Sequence, residues 1–134
     1  AARVHLLEQL PVVMIPHREL LEEMNSSSAT FPFGVSEVEA LGLSTVPFEG
    51  SRLPRVAGCR VAFACRRHLI QEIGNGPQAL IIGLVGGIWL DDGVVDEDSK
   101  GRLKIRADRL DPVGRLGAGE YAFIGEIRRL VRPD

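Results

Sequence analysis

Residues Cys59 to Leu90 read CRVAFACRRHLIQEIGNGPQALIIGLVGGIWL. The first half alternates, with Cys59, Val61, Phe63 and Cys65 on one face and Arg60, Ala62, Ala64 and Arg66 on the other, as a half-buried β-strand does. GNGP at 74–77 is a strong reversal signal. Ala79 to Leu90 then runs apolar on both faces and carries Gly83, Gly86 and Gly87, which let another backbone come close. An antiparallel strand apolar on both sides has to be covered twice, once by its own core and once by a helix or a second subunit. A hairpin of this length sets the fold class as mainly β and points to a homodimer.

The flanking sequence adds short helices before the hairpin and a meander after it. Leu6, Leu7 and Leu10 follow helical spacing and stop at Pro11, and Val12 to Ile15 forms an apolar run suited to a buried strand. Pro16 opens a second helix with Leu20, Leu21 and Met24 as its apolar stripe, expected to end before the polar run Asn25 to Ser28. Ser36 and Glu39 have capping-box spacing and predict a short helix closing near Gly42. Asp92 and Gly93 form a turn, Val94 and Val95 continue the meander, and Tyr121 to Val131 supplies a last apolar segment. The pattern predicts a small antiparallel β-barrel with a few inserted α-helices, as one domain over 1–134.

Composition narrows the function classes. A chain of 134 residues ordinarily buries roughly 68–70% of its unfolded surface. The formal charge is −2, and the 14 arginines are scattered without interleaved aromatics, which argues against a nucleic-acid partner. No apolar run approaches the roughly 18 residues of a membrane span, and the first residues lack the order of a signal peptide, so the expected location is cytoplasmic with no membrane partner. On a strand, Cys59 and Cys65 would lie roughly 20 Å apart, beyond the reach of a disulfide, so both read as buried thiols. His5, His17 and His68 are dispersed, and no metal site is expected. Asp96, Asp98 and Gly101 faintly follow a calcium loop, but Lys100 and Ala107 occupy ligand positions, so the segment reads as a polar hairpin end.

Asp111 to Tyr121, DPVGRLGAGEY, surrounds one arginine with turn-forming residues. Gly117 and Gly119 permit φ > 0, Pro112 stiffens the approach, and Arg115 puts a planar cation where the loop is tightest. A solvated surface turn and a loop built around a ligand are both open readings of these residues. An ion pair of Arg115 with Glu120 or Glu126 is a third.

NSSSATFPFGVSEVEALGLSTVPF, Asn25 to Phe48, resembles the stretch M-N-x-S/T-S-A, then Pro, then S-E-F-E-x-x-G-L of the flavin reductase-like proteins that form the FMN-binding split barrel. Met24, Asn25, Ser27, Ser28, Ala29, Pro32, Ser36, Glu37, Glu39, Gly42 and Leu43 match it, and Val38 departs from the usual phenylalanine. LPRVAGCRVAFAC, DDGVVDED and DPVGRLGAGEYA match the same family in the same order, so the resemblance runs along the whole chain.

The resemblance implies a Greek-key type split barrel that binds FMN, with hydride passing from the nicotinamide of NAD(P)H to the flavin. That chemistry needs stacked rings at close distance and no side-chain nucleophile or base, so no catalytic residue is assigned. It implies cofactor contacts from Asn25, Ser27 and Ser28 at the ring edge or ribityl hydroxyls, from Arg115 at a phosphate or nicotinamide, and from Tyr121 at the cofactor edge. Against these stand a solvated helix end for the first three and a core position for Tyr121. Family members are also expected to carry upstream strands and a Lys-Asp-Thr-x-x-Asn signature, where Ala1 falls at the threonine and Val4 at the asparagine. The expectation is therefore a domain lacking those strands and holding flavin weakly, or a non-catalytic barrel or subunit completed by a partner chain.

Overall fold

The computed structural model describes residues 11–133, so the helical spacing of Leu6, Leu7 and Leu10 and the positions of Ala1 and Val4 lie outside the described residues. In chain order the elements are β1 (Val12–Met14), a 3-10 turn (Arg18–Leu20), α1 (Leu21–Ser27), α2 (Glu37–Ala40), β2 (Thr45–Val46), β3 (Arg55–Val56), β4 (Val61–Ile73) and β5 (Gln78–Leu90). A second 3-10 turn (Asp92–Val94), β6 (Val95–Glu97), β7 (Leu103–Ile105), α3 (Ala107–Leu110), β8 (Gly114–Arg115) and β9 (Tyr121–Ala122) follow. All strand pairs are antiparallel, in sheets β1-β4-β5, β2-β3, β6-β7 and β8-β9. The mainly β, antiparallel class read from the sequence is the observed one. The four sheets do not close into one continuous barrel.

β4 and β5 form the expected hairpin, with Ile73 opposite Gln78 across the GNGP loop and Gly74 at φ 70°. Two irregularities interrupt its register. Ala64 faces Gly87 while Cys65 faces Val85, and Arg67 faces Gly83 while Leu69 faces Ile82, so Gly86 and His68 are left over. Each irregularity flips the alternation of faces, which a strict period of two misses. A Cβ on Gly83 would stand 3.1 Å from Cys65 Cβ, so glycine lets the strands close there.

The core is two small clusters at the base of this ribbon. Phe48, Cys59 and Ala62 form one with Val12, Met14, Ala64 and Trp89, and Val61, Val94 and Leu110 form the other with Ile15, Phe63, Leu90 and Val95. Ala62, expected on the outward face, is fully buried because Phe48 and Trp89 cover it. β1 is half-buried, with Val13 exposed on the sheet face, where a buried strand was expected. Cys59 and Cys65 are buried free thiols as expected. The Asp98 carboxylate closes the β6–β7 hairpin end by accepting from the Lys100 and Arg102 backbone N–H groups at 2.8 and 3.0 Å.

The last apolar segment departs from expectation. Only Tyr121–Ala122 is strand; residues 123–133 have no regular structure, and Leu130 and Val131 are 91% and 96% exposed. A strand needs a partner edge as well as apolar residues, and none of the described strands offers one here. The accessible surface is 10409 Å² for 14.6 kDa, against about 6,900 Å² for a compact monomer of that mass. The chain alone thus buries about half of its unfolded surface, less than the roughly 68–70% expected from length.

His17 is buried at 3% exposure in a bridge to Pro112, and its Nδ1 has no hydrogen-bond partner among the described residues. Burial, and then the Arg60 charge, push its pKa below the ordinary 6.5, with Glu19 and Asp111 opposing. A depressed folded-state pKa gives stability that is complete above 6.5 and is lost as pH falls through the folded value. The carboxyls of Asp96, Asp98, Asp108 and Asp111 are depressed from 3.8, so their contribution is lost in a more acidic window. The urea midpoint is therefore expected to fall between about pH 7 and about pH 5, and His17→Gln to flatten that slope. An unchanged slope in the variant would assign the acid sensitivity to another group.

Candidate functional site

Helix α1 runs through Asn25 and Ser26 to Ser27, past the end expected from the polar run. The serine hydroxyls explain the extension: Ser27 Oγ donates to the Met24 carbonyl at 2.7 Å and Ser28 Oγ to the Asn25 carbonyl at 2.6 Å. Backbone N–H groups of Ser28 and Ala29 close the last turn onto Asn25 and Ser26. Serines that bond back to the preceding turn satisfy carbonyls that would otherwise face solvent. Asn25, Ser27 and Ser28 therefore sit on a helix terminus, not on a free loop.

Tyr121 reaches this terminus from the far end of the chain. Its hydroxyl donates to Asn25 Oδ1 at 2.8 Å, across 96 residues of sequence. Arg115 lies directly opposite Tyr121 in the β8–β9 pair. The turn between them is closed by Leu116 N–H to the Glu120 carbonyl at 3.0 Å and Glu120 N–H to the Gly117 carbonyl at 2.9 Å. Positive φ falls at Ala118 (50°) and Gly119 (81°), so the left-handed position expected at Gly117 is taken by its neighbour. Among the described residues the exposed Arg115 makes no ion pair, and Glu126 is held by Arg128 at 3.0 Å. The structure thus bonds Tyr121 to Asn25 and sets Arg115 opposite Tyr121 on the neighbouring strand.

The loop carrying Arg115 is latched to the segment before α1. Arg18 N–H donates to the Asp111 carbonyl at 3.1 Å, Val113 N–H to the Pro16 carbonyl at 3.0 Å, and the Arg18 guanidinium grips the Asp111 carboxylate with two hydrogen bonds. The same guanidinium stands 3.9 Å over the Phe123 ring. Asp111 adopts φ 46° at the end of α3, a conformation aspartate tolerates better than most residues. The Arg18 hydrogen bond holds the Asp111 carboxyl below its usual pKa. No sequence signal pairs Arg18 with Asp111, because they lie 93 residues apart.

Helix α1 also borders a cleft of about 230 Å³. Leu20, Glu23, Met24 and Ser27 face it from α1 and the preceding turn, at the spacing of one helix side. Met14, Ile15, Leu43, Val56 and Cys59 complete most of the opposite wall. Ser27 is the one candidate residue in the cleft lining. Sequence reasoning missed Met14, Glu23 and Cys59 as members, and only the recurring spacing of 20, 23, 24 and 27 hinted at a shared face.

No family model matches the chain. An uncharacterized protein of Deinococcus radiodurans is 36% identical over 110 residues, covering 81% of this chain and 47% of that protein. Among solved structures, the 2-nitrobenzoate 2-nitroreductase NbaA of Pseudomonas fluorescens superposes with a TM-score of 0.79 at 25% identity, covering 98% of this chain and 64% of that one. Nitrilotriacetate monooxygenase component B of Bacillus cereus gives 0.80 at 26%, covering 96% and 63%. The FMN-binding domain of a flavin reductases-like enzyme from Shewanella baltica shares the fold, with a TM-score of 0.66 at 20% identity, covering 91% and 63%. The chain shares its fold with flavin reductase-like split-barrel proteins. It spans about half the length of the Deinococcus relative and just under two thirds of these solved structures.

Within this fold, the Tyr121 to Asn25 bond joins the β8–β9 pair to α1. Tyr121→Phe removes only the hydroxyl, and at this exposed site is expected to lower stability by about 0.5–1 kcal/mol. A double-mutant cycle with Asn25→Ala, read by urea denaturation, should recover most of that loss as coupling energy. Additive effects would show that the bond contributes nothing in solution.

Proposed function

We propose that this chain contributes the flavin site of an FMN-dependent oxidoreductase of the flavin reductase-like type, with NAD(P)H as hydride donor. The observation that carries the reading is the side-chain bond of Tyr121 to Asn25, with Arg115 opposite Tyr121 in the β8–β9 pair, at the end of a helix whose Glu23, Met24 and Ser27 line an apolar cleft. The donor set suits a flavin nucleotide. Because Asn25 Oδ1 accepts from Tyr121, its amide N–H groups are turned outward as donors. Arg115 adds a cation for a phosphate or a nicotinamide. Ser27 and Ser28 use their hydroxyl protons on carbonyls, so toward a ligand they act as acceptors. A bound flavin supplies the hydride chemistry; the chain's residues bind, orient and exclude water, and none is required as nucleophile. Two structural relatives are a nitroreductase and a monooxygenase component, which supports redox chemistry on this fold.

Affinity for FMN in the isolated chain is expected to be weaker than about micromolar. A few hydrogen bonds of roughly 0.5–1.5 kcal/mol each, and one charged contact, stand against an association cost of at least about 4 kcal/mol. FMN titration followed by flavin fluorescence quenching tests the reading. Saturable quenching is expected, and Arg115→Ala should weaken it by about 1.5–3 kcal/mol with the melting temperature nearly unchanged. Binding that survives the substitution, with a lower melting temperature, would make Arg115 structural.

A second reading, a non-catalytic barrel or a subunit completed by another chain, is favoured by the open ribbon, where Leu80, Ile81, Leu84, Val85 and Ile88 are all exposed. In either reading we propose a homodimer built on β5. Among the described residues no helix is long and apolar enough to cross a membrane. A second copy covering more than about 1,200 Å² would give a stable assembly. Val85→Asp should dissociate it in a light-scattering measurement at micromolar concentration; Trp89 is unsuitable for this test because it packs in the core under Arg55. A monomeric mass for the unmodified chain would end the dimer proposal.

A further inference from the structure

The chain has two methionines and two cysteines, and three of these four sulfur-bearing residues, Met14, Met24 and Cys59, line the same cleft. Two of them are tied to one residue: Val56 N–H donates to Met14 Sδ at 3.2 Å, and the Val56 carbonyl accepts the Cys59 N–H at 3.2 Å. Met14 also packs directly on the Phe48, Cys59 and Ala62 cluster. Met24 comes from α1 on the other wall. We propose that this cleft is a site for a soft monovalent cation, Cu(I) or Ag(I), held by the Met14 and Met24 thioethers and the Cys59 thiolate.

Donor type selects that ion. Thioether and thiolate sulfurs prefer soft cations such as Cu(I), whereas a structural zinc site takes about four nitrogen, sulfur or oxygen ligands. Among the described residues no group of three His, Cys, Asp or Glu is placed to hold a metal. Binding forms the sulfur–metal bonds and releases the Cys59 thiol proton to solvent, with no change of oxidation state. The site is independent of whether flavin binds.

Methionines also fill apolar gaps without binding anything, and a competition experiment separates the two roles. The full chain, reduced and anaerobic, is titrated against Cu(I) held by bicinchoninate as the coloured competitor. One equivalent of Cu(I) is expected to pass to the protein. Met14→Leu and Met24→Leu keep the volume and apolarity of the wall, and each should weaken binding by about tenfold or more, since ligand-sphere changes act on that scale. Cys59→Ala should abolish binding, and Cys65→Ala should leave it intact, with Trp89 fluorescence and far-UV circular dichroism reporting the fold of each variant. No transfer from bicinchoninate overturns the proposal. So does full retention in both leucine variants, or an equal loss on replacing Cys65.

Discussion

Pairing of β4 with β5 is the constraint on which the remaining elements depend. Twelve residue pairs join the two strands, whereas every other strand has two or three residues. Isolated two-stranded ladders that short are not stable in water. The base of the ribbon supplies the side chains on which they settle: Ala62 and Trp89 toward Phe48 and Cys59, and Val61 and Leu90 toward Val94 and Leu110. Its outer half finds no such cover among the described residues, and its apolar residues stay exposed on β5. One hairpin therefore organises the interior and presents the most apolar surface.

The second organising contact is the latch between residues 16–18 and 111–113. As an exposed ion pair, Arg18 with Asp111 adds little stability by itself. Its value is positional, because two backbone hydrogen bonds, the His17 to Pro112 bridge and the Phe123 ring lie on the same short segment. Together they bring β8 and β9 beside α1, where Tyr121 meets Asn25. His17 is buried within the latch with Nδ1 unpaired, which is tolerable for a neutral imidazole and costly for a charged one.

Helix α1 serves two surfaces at once. Positions 20, 23, 24 and 27 turn toward the cleft, and Asn25 is the contact for Tyr121. The back-bonding of Ser27 and Ser28 fixes the terminus that carries both. A polar run that reads in sequence as the end of a helix is thus the part of the helix that Tyr121 meets.

Local chemistry written in the sequence determined the strand class, the GNGP reversal, the Ser36 cap that accepts the Glu39 N–H, the left-handed Gly42 and the start of a strand at Tyr121. Each depends on residues within a few positions of one another, and so does the match of short motifs to the family. Tertiary structure alone decided the Arg18 to Asp111 latch, the meeting of Tyr121 with Asn25, and the gathering of Met14, Met24 and Cys59 in one cleft. It also decided that Ala62 is buried and that the segment after Ala122 is not strand. The physical reason is the same in each case. Periodicity reports which face of an element is apolar, but the partner covering that face is set by register irregularities such as those at Gly86 and His68 and by contacts between distant parts of the chain, which no local pattern encodes.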